Sequence, residues 1–176
     1  MKFILGTIIS LLSFFILYFF VAIFSPESYE VERVQDFSQP KQVVWHKFSR
    51  FRNWESWFPW NSSLNTIRFN YVGVPGRTGA KLEWKTVESE TGSMIVTRIE
   101  PFVELEYVWQ SGKVNGVSKA LVRLDDFNSG TLVTWKTRTD LTFWEKPLGA
   151  LGFYQSQIGA KLEQGLSAIE TELNFD

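Results

Sequence analysis

The chain of 176 residues contains no cysteine and one histidine, His46. The absence of cysteine excludes disulfides, thiolate metal sites and a cysteine nucleophile. A single histidine leaves little material for a zinc site or a Ser-His-Asp triad. No side chain at a defined spacing accompanies His46, so we interpret it as an exposed or hydrogen-bonded residue rather than an acid or base. We therefore expect no metal and no cofactor.

An excess of either charge is also missing. The chain has 18 Lys and Arg against 19 Asp and Glu, a formal net charge of -1. Nucleic-acid-binding domains and polybasic membrane surfaces carry a marked positive excess. The glycines between Gly73 and Gly79 are not a phosphate loop, because no Lys-Ser/Thr pair and no helix start follow them. The sequence thus indicates no nucleic-acid partner.

A long hydrophobic run is present at the amino terminus. Phe3 to Phe24 contains no charged residue and is 22 residues long. At a rise of about 1.5 Å per residue, such a helix covers the ~30 Å hydrocarbon core of a bilayer. A cleaved signal peptide is the alternative, because Lys2 precedes the run, but no pair of small residues ends it. We expect residues 1–25 to be a retained transmembrane anchor.

The charges that flank this run favour one orientation. Lys2 lies before it, whereas Glu27, Glu30 and Glu32 come after it and before Arg33. The positive-inside rule then predicts a cytoplasmic amino terminus. Residues 26–176 are expected to form a single extracytoplasmic, periplasmic domain.

The pattern after the anchor changes from strand to helix, then to strands, then to helix. Tyr29 to Phe37 is rich in β-branched and aromatic residues, which is typical of a strand. Two short helices are predicted next, over Gln42 to Phe48 and over Phe51 to Trp60. Turn signals then delimit six strands at 64–72, 80–88, 92–100, 103–110, 114–125 and 130–143.

The carboxyl-terminal segment predicts one long amphipathic helix that begins near Pro147. One face recurs at three-four spacing and is apolar except for Gln155, namely Leu151, Gln155, Ile158, Leu162, Gly165 with Leu166, Ile169 and Leu173. Gly152, Gly159 and Gly165 each cost about 1 kcal/mol relative to Ala in a helix, which indicates close approach to the sheet. An antiparallel sheet must cover one face, and only this helix is long enough to do so. The predicted fold is therefore α+β, with about seven antiparallel strands curved around the helix.

An ordered series of short strings resembles one superfamily. The strings are FRNWESWFPW with Trp54, Trp57 and Trp60; TGAKLEW with Gly79 and Trp84; GSMIVTRIEPFVELEY with Gly92, Pro101 and Tyr107; GTLVTW with Gly130 and Trp135; and EQGLSAIETEL with Gly165 and Leu166. The resemblance runs in this order across residues 29–173, and the quoted strings begin at Phe51. The chain resembles the START-like SRPBCC superfamily of polyketide cyclase/dehydrase and lipid-transport type. The resemblance implies a helix-grip (Bet v 1/START-like) fold with a cavity for a hydrophobic ligand. Most members lack an amino-terminal anchor, so this chain departs from the superfamily in that feature.

The two-residue period of strands places several large side chains on common faces. If these faces point at the long helix, they line either a packed core or a ligand cavity. The candidate ligand-binding residues are Leu82, Trp84, Tyr107, Trp109, Val133 and Trp135, with Tyr154 and Ile158 opposite them on the helix.

The Trp-rich segment Phe51 to Trp60 has two interpretations. It can seal one end of the core, where each aromatic side chain buries roughly 150 to 250 Å². It can also form a hydrophobic gate or a membrane-facing belt, since Trp favours the headgroup level. Trp57 and Phe58 are the residues of this segment expected to be most exposed, and they are the candidate gate or membrane-facing residues.

Three functions follow. The leading hypothesis is a non-catalytic, membrane-anchored domain that binds a lipid-like or other hydrophobic small molecule. A cyclase/dehydrase-type enzyme would instead need an ionisable group in the cavity, and Glu83, Arg123 and His46 are the candidates. A protein-interaction or stress-response domain would need an exposed apolar patch near Trp54 to Trp60.

Overall fold

The computed structural model describes residues 2–59, 67–86, 91–112 and 116–175. Trp60, and the predicted strand ends at 64–66, 87–88 and 114–115, lie outside the described residues. The helices are α1 (Lys2–Phe24), α2 (Lys41–Ser49), α3 (Lys146–Ala150) and α4 (Phe153–Phe175), with a 3₁₀ turn at Phe51–Glu55. The strands are β1 (Ser28–Phe37), β2 (Ile67–Val72), β3 (Lys81–Thr86), β4 (Thr91–Glu100), β5 (Glu104–Ser111), β6 (Ser118–Phe127) and β7 (Gly130–Asp140).

The strands form one antiparallel sheet in the order β1-β7-β6-β5-β4-β3-β2. Strands β2 to β7 follow one another as neighbours, and β1 joins the far edge beside β7. Alternate side chains along the central strands are buried, so one face of the sheet is the core face. With α4 against that face, the predicted α+β helix-grip fold is confirmed.

Helix α4 contacts the sheet through a stripe of buried residues, Leu162, Leu166, Ile169 and Leu173. Two glycines allow the approach. A Cβ atom at Gly159 would lie 2.1 Å from Arg33 Nη2, and one at Gly165 would lie 3.0 Å from the Trp135 ring. The expectation that these glycines mark close packing against the sheet is correct.

Two local predictions are wrong. Gly152 is not inside a helix but has φ +76 and separates α3 from α4, so the predicted single helix is two. Leu151 lies at this break and is exposed, which removes it from the buried stripe. The segment from Phe51 does not form an α-helix but a five-residue 3₁₀ turn.

Helix α1 is the one described helix that is long and apolar enough to cross a membrane, and a signal sequence would meet the same criterion. Its last turns contact the loop between β7 and α3. Tyr18 stacks on Trp144 with ring centroids 6.2 Å apart, and Phe19 lies 5.2 Å from Phe143. Residues 25–27 then lead directly into β1. The apolar helix and the start of the sheet are therefore close neighbours.

Candidate functional site: the concave face of the sheet

The predicted cavity residues lie on the face of the sheet that is covered by α4. All six strand residues are buried there, namely Leu82, Trp84, Tyr107, Trp109, Val133 and Trp135. Tyr154 and Ile158, in the first turns of α4, are half-buried against the same core. The sheet thus brings the eight residues to one side of the molecule, which we call the concave face. A role for them in ligand binding stays a prediction.

The middle of the concave face is filled by aromatic rings. This central aromatic cluster consists of Phe48, Phe51, Trp54, Trp57, Tyr107 and Trp135. Ring centroids are 4.5 Å apart for Trp54 and Trp57, 5.4 Å for Trp54 and Tyr107, and 5.9 Å for Trp57 and Trp135. Most of the contacts are edge-to-face, the arrangement that aromatic rings prefer. The rings of Trp135 and Tyr107 therefore pack as core.

Trp57 and Phe58 are not at the surface. Each is 3% exposed, so the expectation that they would be the most exposed residues of their segment is wrong. The Trp57 ring packs 5.5 Å from that of Phe48, and the Phe58 ring packs 5.3 Å from that of Trp84. Because both rings point inward, neither can face a membrane in this structure. A gating role remains a prediction that no contact here tests.

Hydrogen bonding within the central aromatic cluster is uneven. Trp135 Nε1 donates to the Tyr107 hydroxyl at 2.9 Å, and Trp54 Nε1 donates to the Phe48 carbonyl at 2.9 Å. Burial raises the pKa of Tyr107 well above its usual value. Trp57 Nε1 is also buried, but it has no hydrogen-bond partner among the described residues. A buried donor without an acceptor costs stability, so Trp57 Nε1 is a destabilising polar group in the core.

A second region of the concave face carries buried hydroxyl groups. Ser118, Thr137 and Thr139, here called the hydroxyl row, are all buried. The Ser118 and Thr139 hydroxyls are 2.8 Å apart, and Trp109 Nε1 donates to Thr137 Oγ1 at 3.3 Å. The antiparallel register places Tyr29 opposite Thr139, and Thr139 opposite Ser118. The row therefore lies at the end of the sheet where β1 begins, next to α1.

Two tyrosines accompany the hydroxyl row. Tyr29 hydrogen bonds to Thr139, and its ring stacks on that of Tyr154 at 5.7 Å. Burial raises the pKa of both tyrosines, and the Glu145 carboxylate raises it further. Ile158 lies one turn further along α4. This end of the concave face thus combines aromatic and aliphatic surface with hydroxyl groups, and we call it the α1 end.

Sequence reasoning missed the hydroxyl row, although a signal was present. The alternation that places Val133 and Trp135 on one face continues to Thr137 and Thr139. Extending the two-residue period along β7 would have placed both threonines inside.

The three candidate acids and bases lie outside the concave face. Glu83 projects from the opposite side of β3, where it pairs with Lys81 at 2.5 Å and accepts from Asn70. Arg123 pairs with Asp125 at 3.3 Å, and both side chains are about half exposed. His46 is exposed at the rim of a groove that also contains Arg50, Arg77 and Phe102. Among the described residues no group of three or more His, Asp or Glu side chains could hold a metal ion.

A groove of about 670 Å³ lies at the edge of the sheet formed by β2 to β5. Its walls are mostly outward-facing polar side chains, including Arg68, Lys81, Glu83 and Lys85. Trp84 is the one predicted cavity residue among the described residues that line it. The groove mixes both charges, so it has no evident preference for an acidic or a basic ligand.

Comparison with family models and with curated protein sequences finds no match. Among solved structures, the chain is similar to a protein from Rhizobium leguminosarum, with TM-score 0.65, 13% identity and coverage of 85% of this chain and 97% of that one. It is similar to Ara h 8.0201, with TM-score 0.65, 12% identity and coverage of 85% and 99%. It is also similar to DynU16, a protein of the dynemicin biosynthetic locus, with TM-score 0.60, 17% identity and coverage of 82% of this chain and 47% of that one. Identities this low show the fold alone, and since Ara h 8 is a Bet v 1 homologue, the chain has a Bet v 1-like fold.

Proposed function

We propose that the protein is a membrane-anchored binding domain for a lipid-like or other hydrophobic small molecule. The observation that carries the proposal is the α1 end of the concave face. There, buried hydroxyls of Ser118, Thr137 and Thr139 lie beside the rings of Tyr29 and Tyr154. This end is also the part of the sheet nearest to α1.

The chemistry of this end suits an amphipathic molecule. Aromatic and aliphatic surface contributes about 25 cal/mol per Å² of apolar area removed from water, with little selectivity for the ligand's shape. In a ligand site, a few polar groups fix the orientation of the bound molecule. Here the Tyr29 hydroxyl and the hydroxyl row would receive a carbonyl or hydroxyl of the ligand. Because the central aromatic cluster occupies the middle of the concave face, the apolar part would extend along Tyr154 and Ile158.

The fold supports the same class of function. Bet v 1-like folds bind hydrophobic small ligands. DynU16 belongs to the dynemicin biosynthetic locus, so the alternative is a cyclase-like activity of this fold. However, Glu83, Arg123 and His46, the three residues that the enzyme hypothesis named, all lie outside the concave face and so do not support it. The interaction hypothesis requires an exposed apolar patch in this segment, but Trp54 and Trp57 are buried.

Localisation is part of the proposal. Residues 3–24 would span the membrane, and residues 26–176 would form the binding domain on the extracytoplasmic, periplasmic side. Reporter fusions at the carboxyl terminus test the topology, because an enzyme active only outside the cytoplasm should report activity. A reporter active only in the cytoplasm would reverse the orientation.

The binding test compares two threonines of one strand. Thr139 lies in the hydroxyl row, whereas Thr134 projects from the opposite face of β7. The full chain and its Thr139→Val and Thr134→Val variants would be purified in detergent, and bound apolar molecules would be extracted and weighed by mass spectrometry. We expect one class of molecule to accompany the full chain and Thr134→Val, and to be depleted in Thr139→Val. Preparations of the full chain that consistently carry no such molecule would rule out the proposal.

A further inference from the structure

A second apolar surface surrounds the break between α3 and α4. Four large apolar side chains are exposed there: Trp144 at 63%, Leu148 at 40%, Leu151 at 82% and Phe153 at 49%. They fall within ten consecutive residues, and we call them the membrane-side patch. A contiguous exposed apolar patch on a protein marks a contact with another apolar phase or molecule.

The membrane-side patch is continuous with α1. Trp144 stacks on Tyr18, and its backbone carbonyl accepts a hydrogen bond from the Tyr18 hydroxyl. Next to it, Phe143 packs against Phe19. Further along, Ala150 of α3 lines a groove together with Phe20 and Val21 of α1. The segment that carries the patch is thus joined to α1 at Phe143, at Trp144 and at Ala150.

The position of Trp144 along α1 sets its depth. Tyr18 precedes the end of α1 at Phe24 by six residues, which corresponds to about 9 Å along a helix axis. With residues 3–24 in a bilayer, a side chain that stacks on Tyr18 lies below the level at which α1 leaves the hydrocarbon. Trp is well suited to this depth, since its ring is amphipathic and enriched at membrane interfaces.

The charges near the membrane-side patch are few and of both signs. Lys146 pairs with Glu27 at 3.6 Å, and Glu145 accepts hydrogen bonds from Thr142. This balance gives no electrostatic attraction to anionic lipids. Contact with a bilayer would therefore depend on apolar burial, as it does for interfacial helices with apolar faces.

We propose that the membrane-side patch inserts into the bilayer interface and holds the helix-grip unit (residues 28–175) in a fixed orientation on the membrane. The partner is the acyl-headgroup boundary of the same bilayer that α1 crosses. This inference rests on the retained anchor of the proposed function, but not on ligand binding. In this orientation β1 begins near the membrane and runs away from it. The hydroxyl row, which lies beside the start of β1, then stays close to the lipid.

The natural absence of cysteine allows a direct test. Single cysteines at Leu151 and at Phe127 would carry an environment-sensitive fluorophore in the full chain, reconstituted into phosphatidylcholine vesicles. Phe127 is also an exposed apolar residue, but it lies at the β6–β7 turn. Its position is next to the end of β1, about 30 Å from the first residue of that strand. Leu148→Cys is a second patch variant, in case Leu151→Cys does not fold.

We expect the fluorophore at Leu151 to shift its emission to the blue and to lose most of its intensity to doxyl-labelled lipids. The fluorophore at Phe127 should show neither change. Added salt or anionic lipid should leave both unchanged. If the chain floats with the vesicles and the Leu151 and Leu148 probes stay in water, insertion of the patch is wrong while the anchor stands. Equal quenching of the fluorophore at Phe127 would also overturn insertion of the patch. A chain that does not float with the vesicles would overturn both the insertion and the anchor.

Discussion

The indole of Trp135 donates its Nε1 proton to the hydroxyl of Tyr107 at 2.9 Å, across the strand that separates them. Trp135 belongs to β7 and Tyr107 to β5, with β6 between the two. Small Ala120 of β6 lies directly opposite Tyr107 in the register and leaves room for the crossing. The hydrogen bond thus joins β5 and β7, which flank β6, and orients both rings towards Trp54.

Tyr107→Phe tests this hydrogen bond. The change removes the acceptor and leaves Trp135 Nε1 buried without a partner, so we expect a loss of about 1 to 3 kcal/mol in the free energy of unfolding. Denaturant unfolding of the full chain in detergent, followed by near-ultraviolet circular dichroism, measures it. Tyr71→Phe is the control, because the Tyr71 hydroxyl meets Glu55 at an exposed position. Equal effects of the two changes would mean that the buried hydrogen bond contributes nothing specific.

Two neighbouring tryptophans make a matched pair. Trp54 Nε1 donates to the Phe48 carbonyl, whereas Trp57 Nε1 is buried without a described partner. Trp54→Phe loses ring volume and a hydrogen bond, whereas Trp57→Phe loses ring volume and relieves an unsatisfied donor. We therefore expect Trp54→Phe to be more destabilising, by about 1 kcal/mol or more.

Thermal and denaturant unfolding of the two tryptophan variants decide this prediction. A larger loss for Trp57→Phe would show that an acceptor, such as a buried water or ligand carbonyl, satisfies Trp57 Nε1 in solution. A ligand carbonyl in that role would place the binding site at the central aromatic cluster.

Gly165→Ala should destabilise the protein although Ala favours helix. The added Cβ would lie 3.0 Å from the Trp135 ring and 3.4 Å from Pro59, and Trp135 is fully buried. The gain in helix propensity is about 1 kcal/mol, and overpacking of a buried ring costs about 1 to 3 kcal/mol. We expect a net loss, seen as a lower unfolding midpoint.

Gly159→Ala is the control for that substitution. Its Cβ would meet the guanidinium of Arg33, which is the end of a flexible side chain. Arg33 can move away and lose its exposed pair with Glu163, which is worth about 0.2 to 1 kcal/mol. The helix-propensity gain offsets this, so the midpoint should change little. A large loss at Gly159 and none at Gly165 would contradict the described packing of α4.

Stability should fall at alkaline pH. Burial raises the pKa values of Tyr29 and Tyr107 above the ordinary value of 10.0, and burial with the Glu55 hydrogen bond does the same for Tyr71. Below that pH both the folded and the unfolded chain keep these phenols protonated, so the stabilisation is complete. Above it the unfolded chain releases protons first, and the free energy of unfolding decreases as pH rises.

Denaturant midpoints measured from neutral pH to beyond the ordinary tyrosine pKa give the slope of the free energy of unfolding against pH. Phenolate absorbance measures the ionisation of the tyrosines over the same range. In Tyr107→Phe the slope should be shallower than in the unsubstituted chain. A slope that this substitution leaves unchanged would mean that Tyr107 ionises normally when folded.

The order of elements could be predicted because each carries its own period. Alternation along β5 and β7 placed Tyr107 and Trp135 on one face, and three-four spacing placed Leu162 and Ile169 on another. These patterns depend only on local geometry. For the same reason α4 could be assigned as the cover of the sheet.

The content of the concave face could not be predicted in the same way. Periodicity gives the face of Trp135 but not the separation between helix and sheet, so it does not distinguish a cavity from a packed cluster. The inward position of Trp57 depends on its packing against Phe48 and Trp135, which lie in other elements and which no local period encodes. The break at Gly152 depends on a positive φ that glycine permits but does not require.

The connection between α1 and β1 limits how far the protein can act. Only residues 25–27 separate the two elements, and the Glu27 carbonyl accepts a hydrogen bond from the Leu141 amide at 2.8 Å. Three residues extend to at most about 10 Å. With α1 in a bilayer, the helix-grip unit cannot carry a molecule across an aqueous gap to a facing membrane. Any cargo would have to leave by lateral diffusion in the same bilayer, or be collected by a partner that comes to it.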